Sequence, residues 1–425
     1  MPNSEPSVFS IEHSESSDIS WRRVDSFPGN HSSPATTELR PCPICGSNRS
    51  RSILQFDQFQ FFSDSKDVPK RVDIRHAQCL DCFALYLNPC YTSYGFEVFL
   101  AEAGASYGST LGRPKEEIDW LASRGLLKSG SRFLDAGCYD GGFLAHLPEN
   151  VERIGVDIDE PAIARGRKAF GPKGIQLILG DLENFSCHQP PDVITMFQVL
   201  EHLPRPVAVL QHLRSMAHSG TRLVVDVPVL EHGKTNDING FLSAFHTTHF
   251  SRLSLENCLQ RSGWKTQESQ QQPDYNGFRV VATPASPSNA QGKDYGMTSL
   301  LRDYLADWNL SVKAVEDRLA RLPQADKCII WGAGAHTEFL YHVTSFFLSK
   351  PERQYAIVDS DPLKHGKSWR GLMIYPPHIL KNAGWDLAYV VVSSYGGTFS
   401  IVKAASELGV PANRVIALYD KTRLH

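Results

Sequence analysis

Short apolar runs alternate with helical stretches through the middle of the chain. Between residues 132 and 283, six runs have the length and composition of buried strands, and most of the segments between them are helical in pattern. The runs are RFLDAG, RIGVDI, IQLILGD, DVITMF, TRLVVDVPV and FRVVATP. This alternation predicts βαβ units, and therefore a mostly parallel sheet with helices on both faces.

The alternation restarts at Lys327, with the runs KCIIWGAGA, QYAIVDSDP, LAYVVVSSY and RVIALYD. The expected fold class is α/β, with a Rossmann-like core at residues 93–285 and a second, smaller Rossmann-like domain at residues 326–425. Residues 286–325 are expected to be a linker followed by a helix. Residues 1–38 are Ser-rich and without periodicity, which predicts a disordered leader.

Residues 39–92 carry two C-x-x-C pairs, formed by Cys42 and Cys45 and by Cys79 and Cys82. Each pair can occupy a tight turn that points both sulfurs at one centre. Four thiolates suit structural Zn²⁺ in a closed tetrahedral site, so we expect a zinc-binding module here. The alternative is a set of free cysteines on turns. His76 is not expected to be a ligand.

The composition narrows the class of protein. With 41% hydrophobic and 21% charged residues, the composition is ordinary for a globular protein. The formal net charge of -3 does not indicate binding to nucleic acid or to an anionic membrane. No stretch approaches the ~20 apolar residues of a membrane span, and the first residues lack the apolar segment of a secretory signal. Nine cysteines, an odd number, favour a reducing compartment. We therefore expect a cytoplasmic protein.

A glycine turn follows the first strand of the predicted core, in RFLDAGCYDGGFL. The strand ends at Asp135, and Gly137 and Gly141 permit a tight turn and close approach of a ligand. This segment resembles motif I of class I S-adenosylmethionine-dependent methyltransferases, D-x-G-x-G-x-G, with Tyr139 in place of the middle glycine. Dinucleotide sites share such a turn, and Gly142 would suit one, so a dehydrogenase is the alternative.

The resemblance continues at the ends of the next three strands. The family's cofactor contacts carry over to Asp157 and Ile158, Asp181 and Leu182, and Phe197 and Gln198. A carboxylate at the second strand end, such as Asp157, can accept hydrogen bonds from ribose hydroxyls. In the family the pair that follows the third strand, here Asp181 and Leu182, faces adenine, and the pair that follows the fourth strand, here Phe197 and Gln198, lines the methionine end. This order of landmarks favours a methyltransferase over a dehydrogenase.

The arrangement of three parts, from about residue 40 to 420, resembles the sugar C-methyltransferase family. Members act on nucleotide-linked deoxyketosugars, which implies a nucleotide-linked small molecule as substrate here. The family's Tyr-x-Glu-His-Phe-Ser pattern is altered, because His246 replaces Tyr and Thr248 replaces Glu, while His249 is kept. The acceptor atom, carbon, oxygen or nitrogen, therefore stays open.

Methyl transfer requires removal of a proton from the acceptor, and a histidine near neutral pKa suits that role. The candidates are His249 first, His246 second and His202 third. His246 and His249 are three residues apart, so on a helical turn they would share a face. Asp226, Tyr107 and Tyr275 are further candidate pocket positions.

Two other functions remain open at this stage. One is an RNA base methyltransferase that uses the cysteine module to bind RNA; such binding needs a basic face, and the module shows a mild enrichment in Arg and Lys. The other is an assembly subunit that binds the cofactor without turnover.

Overall fold

The computed structural model describes residues 19–24, 36–60, 71–100, 113–233, 235–273, 276–288, 292–322, 327–382 and 388–422. Tyr107, Tyr275 and most of the predicted leader lie outside these residues. Among the described helices, none is both long and apolar enough to cross a bilayer.

The cysteine-bearing region is built on antiparallel strands. Its elements are β1 (Thr37–Glu38), β2 (Ser50–Gln60), β3 (Arg71–Cys79), β4 (Leu85–Leu87) and β5 (Cys90–Tyr91), followed by α1 (Ser93–Leu100) and α2 (Arg113–Ser123). Strands β2, β3 and β4 pair in that order. Strands β2 and β3 lie between the two cysteine pairs in the chain.

The central region forms a seven-stranded sheet. Its elements in chain order are β6 (Arg132–Ala136), β7 (Glu152–Asp157), α3 (Glu160–Phe170), β8 (Ile175–Leu179), β9 (Val193–Phe197), α4 (Pro206–Ser215), β10 (Arg222–Pro228), β11 (Thr248–His249), α5 (Arg252–Arg261), β12 (Trp264–Gln271) and β13 (Gly277–Pro284). The sheet order is β12-β13-β10-β9-β6-β7-β8. The predicted Rossmann-like core is confirmed, and all six predicted strands are present. Strand β12 was not predicted, because its sequence WKTQESQQ is polar and largely exposed.

The strand order fixes where a ligand can enter. The five strands β8, β7, β6, β9 and β10 are parallel, and β13 runs antiparallel to both of its neighbours, β10 and β12. The chain leaves β6 toward β7 and β8 on one side, and then crosses to β9 and β10 on the other. Open α/β sheets bind ligands at such a reversal, in the crevice beyond the carboxyl ends of the strands. Here that crevice lies beyond Ala136 and Phe197.

A second sheet follows a long helix. These elements are α6 (Tyr295–Leu319), β14 (Lys327–Trp331), α7 (Ala335–Val343), β15 (Gln354–Val358), β16 (Ser368–Trp369), β17 (Leu372–Tyr375), β18 (Ala388–Val392), α8 (Thr398–Glu407) and β19 (Val415–Ala417). The sheet order is β16-β17-β15-β14-β18-β19, parallel throughout except for β16. This is the strand and helix alternation that the sequence predicted for a smaller α/β unit.

Helix α6 ties the parts of the chain together. Its buried face includes Met297, Leu301, Tyr304 and Trp308, at the three- and four-residue spacing of one helix stripe. The Trp308 indole donates a hydrogen bond to the Ile238 carbonyl oxygen at 2.8 Å, and the Tyr304 hydroxyl accepts one from the Phe241 amide at 2.7 Å. The helix thus fixes the segment that leads to His246.

Strand β11 belongs to the sheet of the cysteine region rather than to the central sheet. The order of that sheet is β11-β4-β3-β2, with Thr248 opposite Tyr86 and His249 opposite Leu85. The predicted boundary between residues 39–92 and 93–285 is therefore crossed by a backbone ladder. The cysteine region holds a segment that the sequence had assigned to the substrate side of the core.

Candidate active site

The turn after β6 needs glycine for steric reasons. Gly137 has φ +87° and Gly141 has φ +79°. A Cβ atom at Gly137 would lie 2.5 Å from Val199 Cγ2, and one at Gly141 would lie 2.7 Å from Leu177 Cδ2. Tyr139 also has positive φ, at +50°, so this side chain accepts the left-handed conformation that the family gives to a glycine.

Two carboxylates brace this turn. Asp135 is buried and accepts a hydrogen bond from the Thr195 hydroxyl at 2.7 Å, and burial raises its pKa to about 7. Asp157 accepts backbone hydrogen bonds from Tyr139 at 2.7 Å and from Asp159 at 2.9 Å. Burial raises the pKa of Asp157 as well. Each Asp157 oxygen keeps a second lone pair, so the carboxylate can both hold the turn and meet a ribose hydroxyl.

The predicted adenine-side residues lie beside the crevice. Ile158 is 55% exposed, which is unusual for an isoleucine directly after a buried strand. Leu182 is buried, and Asp181 is exposed two residues beyond the end of β8. The Asp181 carboxylate accepts a hydrogen bond from the Glu183 amide at 2.9 Å.

The methionine side is organised by a buried ionic network. Gln198 has φ +56°, and its side-chain amide donates to Asp226 at 2.9 Å. Arg279 is fully buried and donates to Asp226 at 2.8 Å and to Glu116 at 3.0 and 3.1 Å. Its guanidinium also lies 5.2 Å from the Phe197 ring centroid. Phe197 and Gln198 are thus fixed by contacts with Arg279 on β13 and Asp226 on β10.

Sequence reasoning named Asp226 but missed Arg279 and Glu116. Arg279 interrupts the apolar run FRVVATP, and it sits directly opposite Asp226 across the β10–β13 pair. A basic residue inside an otherwise buried strand was the available signal. Glu116 gave no such signal, because it lies on the exposed side of a polar helix start.

Four histidines form one cluster, and His202 in it follows Gln198 by four residues. Ring centroids are 4.9 Å apart for His202 and His246, 6.1 Å for His246 and His249, and 5.0 Å for His249 and His76. The three predicted base candidates are therefore neighbours. The helical turn expected for His246 and His249 is wrong: His249 lies in β11 and His246 in the loop before it, because the pairing with β4 imposes an extended backbone.

His76 was not predicted as a site residue. Its Nδ1 lies 3.0 Å from His249 Nε2, and both side chains are buried. One ring must donate and the other accept, so the contact fixes the two tautomers relative to each other. No spacing rule could have found this pair, since its members are 173 residues apart in the chain and lie in β3 and β11, on either side of β4.

Burial keeps the histidines neutral near pH 7. It lowers the pKa of His76 to about 3 and lowers the pKa values of His202, His246 and His249. The His202 side chain is 32% exposed, whereas His249 is 1% exposed. Of the first and third candidates, His202 is therefore the one that solvent reaches.

The four cysteines converge on one point. The Sγ atoms of Cys42 and Cys82 are 3.6 Å apart, as are those of Cys45 and Cys79, and all four lie within 4.8 Å of one another. A tetrahedral Zn²⁺ with Zn–S bonds of about 2.3 Å places its sulfurs about 3.8 Å apart, so these thiols fit the ion. His76 lies outside the cluster, as expected.

The second sheet has a similar glycine turn, and the carboxylate that follows its next strand, Asp359, already has partners within the protein. Asp359 accepts backbone hydrogen bonds from Ala333 at 2.7 Å and from Asp361 at 2.8 Å, and the Lys364 ammonium lies 3.0 Å away. The neighbouring crevice receives a segment of the central region, where the Ile238 amide donates to Tyr419 at 3.3 Å. The hydrogen bond between Ile238 and Tyr419 joins the segment before β11 to the end of the second sheet.

Comparison with known proteins follows this division of the chain. Residues 112–269 match the family model described as a methyltransferase domain. The central region is a class I S-adenosylmethionine-dependent methyltransferase domain. All the predicted cofactor positions and the three predicted histidines lie within it, whereas His76 and the four cysteines precede it. Residues 324–416 match a second family model, described as C2185-like, N-terminal.

Curated relatives match about a quarter of the chain. The ubiquinone biosynthesis O-methyltransferase of Aeromonas salmonicida is 27% identical over 114 residues, which are 25% of this chain and 48% of that protein. The enzyme of the same name from Thiobacillus denitrificans is 32% identical over 109 residues, 23% of this chain and 46% of that protein. The chain thus spans about half the length of these relatives.

Among solved structures, the chain is similar to the Burkholderia thailandensis 1,6-didemethyltoxoflavin-N1-methyltransferase with bound 1,6-didemethyltoxoflavin and S-adenosylhomocysteine. The sequence identity is 15%, with 49% of this chain and 99% of that chain covered and a TM-score of 0.38.

The buried histidine pair predicts an acid-sensitive fold. The folded-state pKa of His76, about 3, lies below its unfolded value near 6.5, so the unfolded state binds more protons between these values. Stability is therefore lost as pH falls below about 6.5, by about 1.4 kcal/mol per pH unit from this group. Urea unfolding at pH 7, 6 and 5 should show a shallower pH dependence for His76→Gln than for the wild type.

The exposed His188 supplies the matched control. His188→Gln should keep the wild-type pH dependence. Equal pH dependence in His76→Gln and the wild type would contradict the assignment of His76 as a buried neutral histidine.

Proposed function

We propose that this chain transfers a methyl group from S-adenosylmethionine to a small-molecule acceptor. The observation that carries the proposal is the convergence, at one sheet crevice, of the braced glycine turn and Gln198 with a cluster of neutral histidines. A cofactor-binding site without a nearby base could bind the cofactor but could not accept the acceptor's proton. The neighbouring histidines favour turnover over the cofactor-binding subunit.

The cofactor would lie across the carboxyl ends of β6, β7 and β9. Asp157 would accept hydrogen bonds from the ribose hydroxyls, and Ile158 and Leu182 would flank adenine, with Asp181 near its amino group. Gln198, held by Asp226, would border the methionine end. Asp135, Gly137 and Gly141 would shape the turn that the cofactor approaches.

The reaction is a displacement at the methyl carbon. The bond from sulfur to methyl breaks as the acceptor's bond to methyl forms, and S-adenosylhomocysteine leaves as a neutral thioether. The acceptor's proton passes to a histidine, with His249 the first candidate, His246 the second and His202 the third. Because the proton is the only other group to move, the protein acts mainly by positioning.

The acceptor we propose is a nucleotide-linked sugar or a related biosynthetic intermediate. Support comes from the three-part resemblance to the sugar C-methyltransferases and from the net charge of -3, which does not suit a nucleic acid partner. His246 in the place of the family's Tyr leaves methylation at carbon or at oxygen as the two outcomes. The relatives named as ubiquinone biosynthesis O-methyltransferases favour oxygen over carbon as the acceptor atom.

We also propose that Cys42, Cys45, Cys79 and Cys82 hold a structural Zn²⁺. With four protein ligands the site would be closed, so the ion would stabilise the fold without touching substrate. Cys79 ends β3, the strand that carries His76 and pairs with β4. Zinc would therefore stabilise the same sheet that positions His249.

The cofactor seat is tested by calorimetry of S-adenosylmethionine binding. Asp157→Ala should weaken binding about 10- to 100-fold, because it removes charge-assisted hydrogen bonds to the ribose and a brace of the turn. Glu160→Ala, an exposed carboxylate three residues on, is the matched control and should bind as the wild type does.

Nucleotide-linked sugars added to the same titrations test the acceptor class. A sugar that changes cofactor affinity would support the proposal. Failure of the folded wild type to bind S-adenosylmethionine would overturn the proposed function.

Elemental analysis tests the proposed zinc. The purified wild type should carry zinc that Cys79→Ser loses, while Cys187→Ser, outside the cluster, should retain it. Loss of zinc should also lower thermal stability, because the ends of β3 and β4 are no longer tethered. A zinc-free, fully stable wild type would contradict the assignment.

A further inference from the structure

A second group of metal-ligating side chains lies inside the histidine cluster. Glu201, His202 and His246 each offer one ligand atom, and these atoms lie within 4.8 Å of one another. We propose that they bind a divalent transition-metal cation, distinct from the cysteine site, that holds an oxygen of the acceptor. The catalytic role of this cation rests on the proposed function, whereas its binding does not.

The hydrogen bonding of His202 points to a cation. Its Nδ1 lies 2.9 Å from the Phe245 carbonyl oxygen, which can only accept, so Nδ1 carries the proton. Nε2 of the neutral ring therefore presents a lone pair, and it lies 3.7 Å from the Glu201 carboxylate. Two electron-rich atoms face each other at a distance too long for a hydrogen bond and suited to a shared cation.

His246 completes the ligand set from the other side. Its ring is edge-on to that of His202, at 78°, and its Nδ1 is buried without a hydrogen-bond partner among the described residues. Glu201 is 1% exposed, so its carboxylate is withdrawn from bulk water. Ligands bound at about 2.1 Å lie about 3.0 to 4.2 Å apart, so a shift of under about 1 Å would close the site.

The two segments that carry the ligands are tied together. The Thr247 hydroxyl donates to the Leu203 carbonyl oxygen at 2.7 Å and to the Glu201 carbonyl oxygen at 3.3 Å. Arg40, from the cysteine region, donates to the carbonyl oxygens of Thr247 and Pro204. Such outer contacts orient ligands and are typical of built metal sites.

The ligand chemistry limits the cation and its use. Two imidazoles and one carboxylate suit Zn²⁺, Fe²⁺, Mn²⁺ or Co²⁺, and three protein ligands leave positions open for water or substrate. Glu201 follows Gln198 by three residues, so an open position would lie near the methionine end of the cofactor. An oxygen bound there would lose its proton more readily, with His249 beside it as the base.

Cobalt binding tests the site directly. The full-length protein would be treated with a chelator, its remaining zinc measured, and Co²⁺ then added while absorption is recorded. We expect one equivalent of Co²⁺ with weak ligand-field bands and without the intense thiolate charge-transfer band that the cysteine site would give. His246→Ala and His202→Ala should lower this affinity at least about 10-fold.

The controls separate this inference from misfolding. His188→Ala, at an exposed histidine, should bind Co²⁺ as the wild type does. His249→Asn should also retain the equivalent, because His249 is engaged by His76. Glu201→Gln should lose it, and if that buried variant fails to fold, His246→Ala carries the test.

Two results would overturn the proposal: a wild type that takes up no Co²⁺ outside the cysteines, or a His246→Ala variant that binds it equally well. S-adenosylmethionine binding is measured on the same samples. Intact cofactor binding without cobalt overturns only the cation site. Cobalt binding without cofactor binding overturns the proposed function and leaves the cation site standing.

Discussion

The pairing of β11 with β4 is the contact on which the candidate site depends. It is only two residues long, yet it joins the cysteine region to the methyltransferase domain. It forces an extended backbone through Thr248 and His249, and this places the His249 ring against His76 on the next strand but one. Without it, the loop that carries His246 would lack a fixed end, and the four histidines would have no reason to meet.

The two sides of the crevice bury polar side chains in different ways. On the methionine side, Arg279 is buried with its charge matched by Asp226 and Glu116, so the network is ionic and rigid. On the acceptor side burial lowers the pKa values of His246 and His249, so these rings are neutral. A rigid charged network can hold Gln198 in its strained conformation. Neutral imidazoles suit a role as proton acceptors or metal ligands.

Much of the fold follows from the sequence because each strand of the parallel sheet is a continuous apolar run. The glycine turn, Asp157 and Gln198 could also be predicted from the sequence, since each lies at or directly after the end of such a run. Strand β12 was not predicted because a polar edge strand lacks the apolar run by which the other strands were found. His76 and Arg279 escaped because their partners are distant in the chain, and only the sheet pairing brings them together. The helical spacing assumed for His246 and His249 failed for the same reason, as tertiary pairing decided the local conformation.

The central claim is that S-adenosylmethionine lies at the crevice beyond β6 and β9. A crystal structure with S-adenosylhomocysteine tests it most directly. The account predicts ribose hydroxyls on Asp157, adenine between Ile158 and Leu182, and the sulfur pointing past Gln198 toward His246. Ligand bound instead at the turn of Gly332 and Gly334 in the second sheet, with the first crevice empty at saturating concentration, would contradict it.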